Sequence, residues 1–204
     1  MPSATALSRS RELRHPFQRW PRQRRRLALT CVTVAALIPT VGGLIVKPLH
    51  EDETGDGIVE FELAGSVDRA DEILATWRVE GVVDNAKRIQ TFDLIYPLIY
   101  AAALAGGCIA VAGAWQRAGR ARGEAVGIGM AWVAFAAAGF DYVENLGLGI
   151  SLWDAPASPW PQLAFAAAVL KFACIWASLL YVLSGAIAWV LSRRGQRAAS
   201  AKAA

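Results

Sequence analysis

Four long apolar runs dominate the pattern of this chain, at 27–46, 92–115, 125–152 and 163–191. Each is long enough to cross a hydrocarbon core of about 30 Å at roughly 1.5 Å per residue, which takes about 20 residues. The third and fourth exceed that minimum, leaving length for tilt or for an overhang into the interface. The connections between the runs carry patterns of their own. In the long connection 47–91, HEDETGDG reads as a flexible turn, and IVEFEL alternates apolar and acidic positions, the period expected of a short strand. Ser66 is placed to cap a helix starting at Val67, with Asp68 in its first turn, and Val67, Ala70, Leu74 and Trp77 then share one apolar face. From Val82 the pattern is expected to run continuously into the second span. The short connection 116–124 makes spans two and three antiparallel neighbours, and the three prolines of DAPASPWPQ force a tight loop before span four.

Charge placement orients these spans. The first 26 residues carry eight Arg and one acid, Glu12. Arg117, Arg120 and Arg122 occupy the 116–124 loop, and Arg193, Arg194, Arg197 and Lys202 follow span four. The 47–91 connection has eleven acids against five bases. Lys and Arg are retained on the cytoplasmic side of a membrane, so both tails and the 116–124 loop are expected inside and the acidic connection outside. Topology therefore accounts for the net charge of +4, and nucleic acid need not be invoked as a partner. Trp115 and Trp189 near the inner ends, with Trp153 and Trp160 near the outer ends, form an aromatic belt. The first run has the basic flank of a signal peptide, but its apolar stretch is long and enters GGLIVKPLHED without a small-x-small cleavage site, so an uncleaved anchor fits better. The expected organisation is a basic cytoplasmic tail (1–26), a four-span membrane domain (27–191) containing an extracytoplasmic cap (47–91), and a second cytoplasmic tail (192–204).

Cysteine and histidine usage removes some chemistries. Cys31, Cys108 and Cys174 all lie within apolar runs and no CxxC occurs, which argues against disulfide exchange. His15 and His50 lie outside the runs, so a self-contained bis-histidine haem site is not expected, and no other cofactor has a signature here.

The informative residues are those a bilayer should reject. Asp93 stands at the start of span two, Asp141 and Glu144 lie within span three, and Lys171 within span four. A charge near mid-bilayer costs roughly 2.5–3.5 kcal/mol, while each Leu or Phe returns only about 0.3–0.6 kcal/mol. Such groups must be paired, protonated or hydrated. Counting from the outer end, Asp141 and Lys171 reach similar depths, roughly 15 and 12 Å. Asp141, Glu144 and Asn145 share one face of span three, and Tyr96 and Tyr100 follow Asp93 on the stripe of span two that carries Pro97, Ala103 and Gly107. Small residues mixed with polar ones mark the faces where membrane helices meet. The candidate site is therefore a polar cluster of Asp93, Tyr96, Tyr100, Asp141, Glu144, Asn145 and Lys171. Acids outnumber the single base, so at least one carboxyl is expected to hold a proton. Oxygen ligands for Mg²⁺ or Ca²⁺ are present, but Lys171 would repel the ion and no established metal spacing occurs, so no metal is assigned.

FELAGS, the helix with Ala70, Ile73 and Trp77, FDLIYPLIY, DYVENLGL and WPQLAF leading to LKF together resemble an uncharacterised group of bacterial four-span integral membrane proteins. The resemblance covers about 59–183 and implies the bacterial inner membrane, the four-span topology and the same polar cluster, with no assigned reaction. The fold expected is an all-α membrane protein, a four-transmembrane-helix bundle with a small extracytoplasmic cap of one short strand and one amphipathic helix. Two function classes stand side by side. One is a buried carboxylate–lysine site that binds a small polar or lipid-head-group ligand or handles protons. The other is a non-catalytic assembly or accessory protein, whose charges only lock the helices and whose 47–91 cap meets a protein partner.

Overall fold

The structure is a computed structural model and describes residues 15–16 and 57–203. The expected first span at 27–46, the flexible turn up to Asp56 and nearly all of the 1–26 tail lie outside the described residues. Among the described residues the order of elements is α1 (Ile58–Glu62), α2 (Val67–Glu80), α3 (Val83–Phe92), α4 (Tyr96–Arg117), α5 (Ala121–Trp153) and α6 (Trp160–Ala203). Helices α4, α5 and the stretch Trp160–Ala188 of α6 are long and apolar enough to cross a membrane. They pack on one another as an up-down-up set, and α1–α3 gather at the end where α5 finishes and α6 begins. The chain is an integral membrane protein by the length and composition of these helices.

IVEFEL is not a strand. Ile58–Glu62 forms a short helix, and the Glu60 carboxylate accepts from the Gly57 N–H at 2.8 Å. A six-residue alternation satisfies both periods, because Ile58, Phe61 and Glu62 are also i, i+3 and i+4 on one helical face. Tertiary burial decides between them: Phe61 sits at 5.1 Å from the Trp77 ring and closes an apolar core with Ile73, Leu74, Leu148, Leu152 and Ala164. The second cap helix matches expectation. Ser66 Oγ accepts from the Arg69 N–H at 3.2 Å, and Ala70, Ile73, Leu74 and Trp77 form its buried face. Gly81 ends it in the left-handed conformation, φ 71°, which costs a glycine little.

The run from Val82 does not continue unbroken into span two. A turn at 93–95 separates α3 from α4. Pro97, at the start of α4, has no N–H and crowds the carbonyl four residues back, that of Asp93. The carbonyls released there find partners on α5: Asn145 Nδ2 donates to Asp93 O at 3.2 Å, and the Tyr142 hydroxyl donates to Leu94 O at 2.9 Å. Backbone groups freed from a helix are tolerated where neighbouring helices supply such bonds.

Small residues let the spans approach closely. A Cβ on Gly147 would stand 2.8 Å from the Trp160 carbonyl and 3.2 Å from Ala164 Cβ, so α5 and α6 meet nearly backbone to backbone at the cap end. Farther from the cap, Ala105, Cys108, Ile109, Ile128, Ala131 and Ala134 form a second apolar core. His15, which the sequence puts outside the spans, rests its ring against Trp132 (4.9 Å) and Phe135 (5.7 Å) of α5. Helix α6 extends past the expected end of span four, through the 192–203 stretch.

Candidate functional site: a lysine shared by three carboxylates

Lys171 projects from the middle of the apolar part of α6 toward α5 and the cap. Its ammonium donates to Glu144 Oε1 at 2.7 Å and to Glu62 Oε2 at 3.2 Å, and stands 4.0 Å from Asp141 Oδ1. The side chains are almost fully enclosed, Lys171 at 7% exposure and Glu144 at 0%. The adjacent Phe172 ring adds a cation–π contact, 4.6 Å from the Lys171 nitrogen to its centroid. Asp141 and Glu144, one turn apart on α5, reach the ammonium together because i and i+3 lie on one face.

A second tier of hydrogen bonds holds Asp141. The Tyr100 hydroxyl donates to Asp141 Oδ2 at 2.8 Å, and Asn145 Nδ2 donates to Asp141 Oδ1 at 3.2 Å. Asn145 is fixed in turn by Gln90 of α3, whose Nε2 donates to Asn145 Oδ1 at 2.7 Å and to Asn145 O at 3.2 Å. Every polar atom of the Asn145 amide is used, and the residue connects α3, the α3–α4 turn and α5. Asp141 thus has two donors besides Lys171. Glu62 has Lys171 alone among the described contacts, and Glu144 Oε2 is buried with no hydrogen-bond partner among the described residues.

Asp93 stands apart. It lies in the turn ahead of the span Tyr96–Arg117, partly exposed, and its part in the contacts above is through its backbone carbonyl. Burial, then the nearby Asp141 and Glu62 carboxylates, push its carboxyl up to about 7, with Lys171 pulling the other way. Tyr96 borders the cluster through its ring, 5.5 Å from that of Tyr100 in an edge-on contact.

Of the seven residues expected at the site, Tyr100, Asp141, Glu144, Asn145 and Lys171 come together in direct contact, while Asp93 and Tyr96 form its margin. Glu62 and Gln90 were missed. For Glu62 the strand reading hid the face it shares with Phe61. Its i+4 spacing from Ile58 offered a helical face, but its partner depends on how the cap docks. Gln90 lies among Ala86 and Ile89 on the buried side of α3, visible once that segment is read as a separate amphipathic helix. Three carboxylates around one lysine among the described residues form no metal-binding constellation. Comparison with family models, with curated proteins and with solved structures gives no match for this chain, so the chemistry of the cluster carries the functional argument.

Proposed function

We propose that this is a proton-handling membrane protein, in which the Glu62–Asp141–Glu144–Lys171 cluster takes up and releases a proton inside the bundle. The observation that carries the reading is the charge imbalance. Among the described residues one ammonium serves three enclosed carboxyl groups, and a fourth, Asp93, stands near them, partly exposed. A static lock needs one acid per base; each further carboxylate in a medium that solvates charge poorly favours holding a proton instead. Asp93 is partly exposed and titrates near neutrality, which suits the solvent end of such a path. The Tyr100–Asp141–Asn145 bonds keep the inner acceptor in one orientation. The tight enclosure of the cluster speaks against the ligand-binding alternative, since a lipid head group would need an open pocket.

The same reading includes the wider arrangement expected from sequence: a fourth span at 27–46 beside α4–α6, the Arg-rich ends inside the cell, and the cap outside, in a bacterial inner membrane. The Arg117, Arg120 and Arg122 loop at the end opposite the cap supports that orientation.

One observation favours a second reading. Glu62 ties the cap to Lys171 through a buried bond across 109 residues of sequence, as an interhelical lock would. Infrared spectroscopy of the protein in lipid separates the two. Proton handling predicts a protonated-carboxyl C=O band at neutral pH that shifts on transfer to D₂O and is lost from Asp141→Asn or Glu144→Gln. A band absent at neutral pH, or one that does not exchange, would establish the lock.

A further inference from the structure

Helix α1 is a short element set across the ends of α5 and α6. It is bounded by glycine on both sides: Gly57 precedes it, and Gly65 follows with φ 67°, beside the Phe165 ring, where glycine's freedom of backbone angles makes it the position about which the chain can turn. Phe61, Glu62 and, less deeply, Ile58 fasten it. Phe61 enters the apolar core beside Trp77, and Glu62 reaches Lys171. Its other face is open, with Val59 and Leu63 lining a shallow groove with Glu60, Ala64 and Arg69.

The fastening by Glu62 depends on the charge of what it touches. Among the described residues, Lys171 from α6, Glu144 and Asp141 from α5, and Asp93 from the turn before α4 face Glu62. Lys171 attracts it and the three acids repel it. Asp141 and Glu144 are anchored in a long helix, and Asp141 has Tyr100 and Asn145 as well. Glu62 has one tie among the described contacts and sits on the element with a pivot. When the cluster gains one more negative charge, Glu62 is the carboxylate that can leave.

We infer that α1 is a proton-linked lid over the Lys171 cluster, closed while the cluster holds its proton and swung about Gly65 when that proton departs. The inference rests on the proton-handling reading above and adds to it the part that moves. Opening would admit water to Lys171 and Glu144 from the cap side and give the proton a route out. The sign follows from the charges: the lid loosens as pH rises through the titration of the cluster.

Hydrogen–deuterium exchange of the full-length protein in lipid nanodiscs tests this. The amides of Phe61 and Leu63, bonded to Gly57 O and Val59 O, report on α1, and those of Ile73–Trp77 in α2 serve as the reference. After correction for intrinsic exchange, α1 protection should fall roughly tenfold or more with rising pH while α2 protection holds. Glu62→Gln keeps a neutral partner for Lys171 and removes the repulsion, so its α1 should stay protected at all pH values. Retained α2 protection in this variant reports that the cap is still folded. Parallel behaviour of α1 and α2 at every pH, or an unchanged pH response in Glu62→Gln, would overturn the lid. If the carboxyl band titrates and exchanges while α1 stays shut, the lid alone fails. If the band never exchanges, the proton-handling reading fails first.

Discussion

Lys171 was legible in the sequence because its neighbours are not: flanked by Leu170 and Phe172 in a long apolar run, an ammonium has to find acids on another helix. Depth counting brought Asp141 to it, and the i, i+3, i+4 spacing brought Glu144 and Asn145. The same reasoning could not find Glu62, since the identity of its partner depends on how the cap docks, and sequence periodicity over six residues does not reveal docking. Asp93 provides a test at this scale. Its folded carboxyl titrates at about 7 against 3.8 for the free group. The folded state therefore holds that proton more tightly than the unfolded chain, and the stability it contributes is full below about 3.8 and lost as pH rises to about 7. Asp93→Asn removes this titration. Unfolding midpoints measured against pH should show a shallower decline across that window than the wild type, with the variant at least as stable above it. An unchanged slope would mean that another group carries the dependence.

The elements divide by how much of their shape is local. The start and buried face of helix α2 were readable from Ser66, Asp68 and the apolar spacing, all of which act within one or two turns. The break between α3 and α4 was not, although Pro97 stood in view. A proline permits a kink, but Asn145 and Tyr142 of α5, distant in sequence, make it affordable by bonding the released carbonyls. The α5–α6 contact belongs to this scale as well. Gly147 faces the Trp160 carbonyl, a backbone atom that cannot rotate away, whereas a Cβ at Gly149 meets nothing within 4 Å. Gly147→Ala should therefore cost about 1–3 kcal/mol through overpacking. Gly149→Ala should be neutral or slightly stabilising. Thermal unfolding of both in the same detergent makes the comparison, and equal effects would mean that α5 and α6 do not approach as closely as described.

At the scale of the whole molecule, α4–α6 make three antiparallel membrane-capable helices capped at one end, and the Arg-rich loop after α4 lies at the other. Hydrophobic length marked these three helices directly, the fourth expected span at 27–46 lying outside the described residues; which end faces outward rests on the Arg distribution. Val79 on the cap is 90% exposed, and Ala118 lies in the exposed loop at the opposite end. In intact cells, a membrane-impermeant thiol reagent should label Val79→Cys and spare Ala118→Cys, in a background lacking the native cysteines. The reverse pattern would invert the topology.

At Lys171, α1, α5 and α6 are joined by one buried charge, and a double-mutant cycle on Lys171 and Glu144 measures that pairing. Removing the lysine alone, as Lys171→Met, strands Glu144 and Glu62 and should cost about 3–5 kcal/mol of unfolding free energy. Adding Glu144→Gln to it removes the acid nearest the lysine and should return a large part of that loss. The double variant should be more stable than Lys171→Met alone, with a coupling energy well above the roughly 0.3–0.5 kcal/mol scatter of independent sites. Additive effects of the two substitutions, with the double variant the least stable of the three, would contradict it.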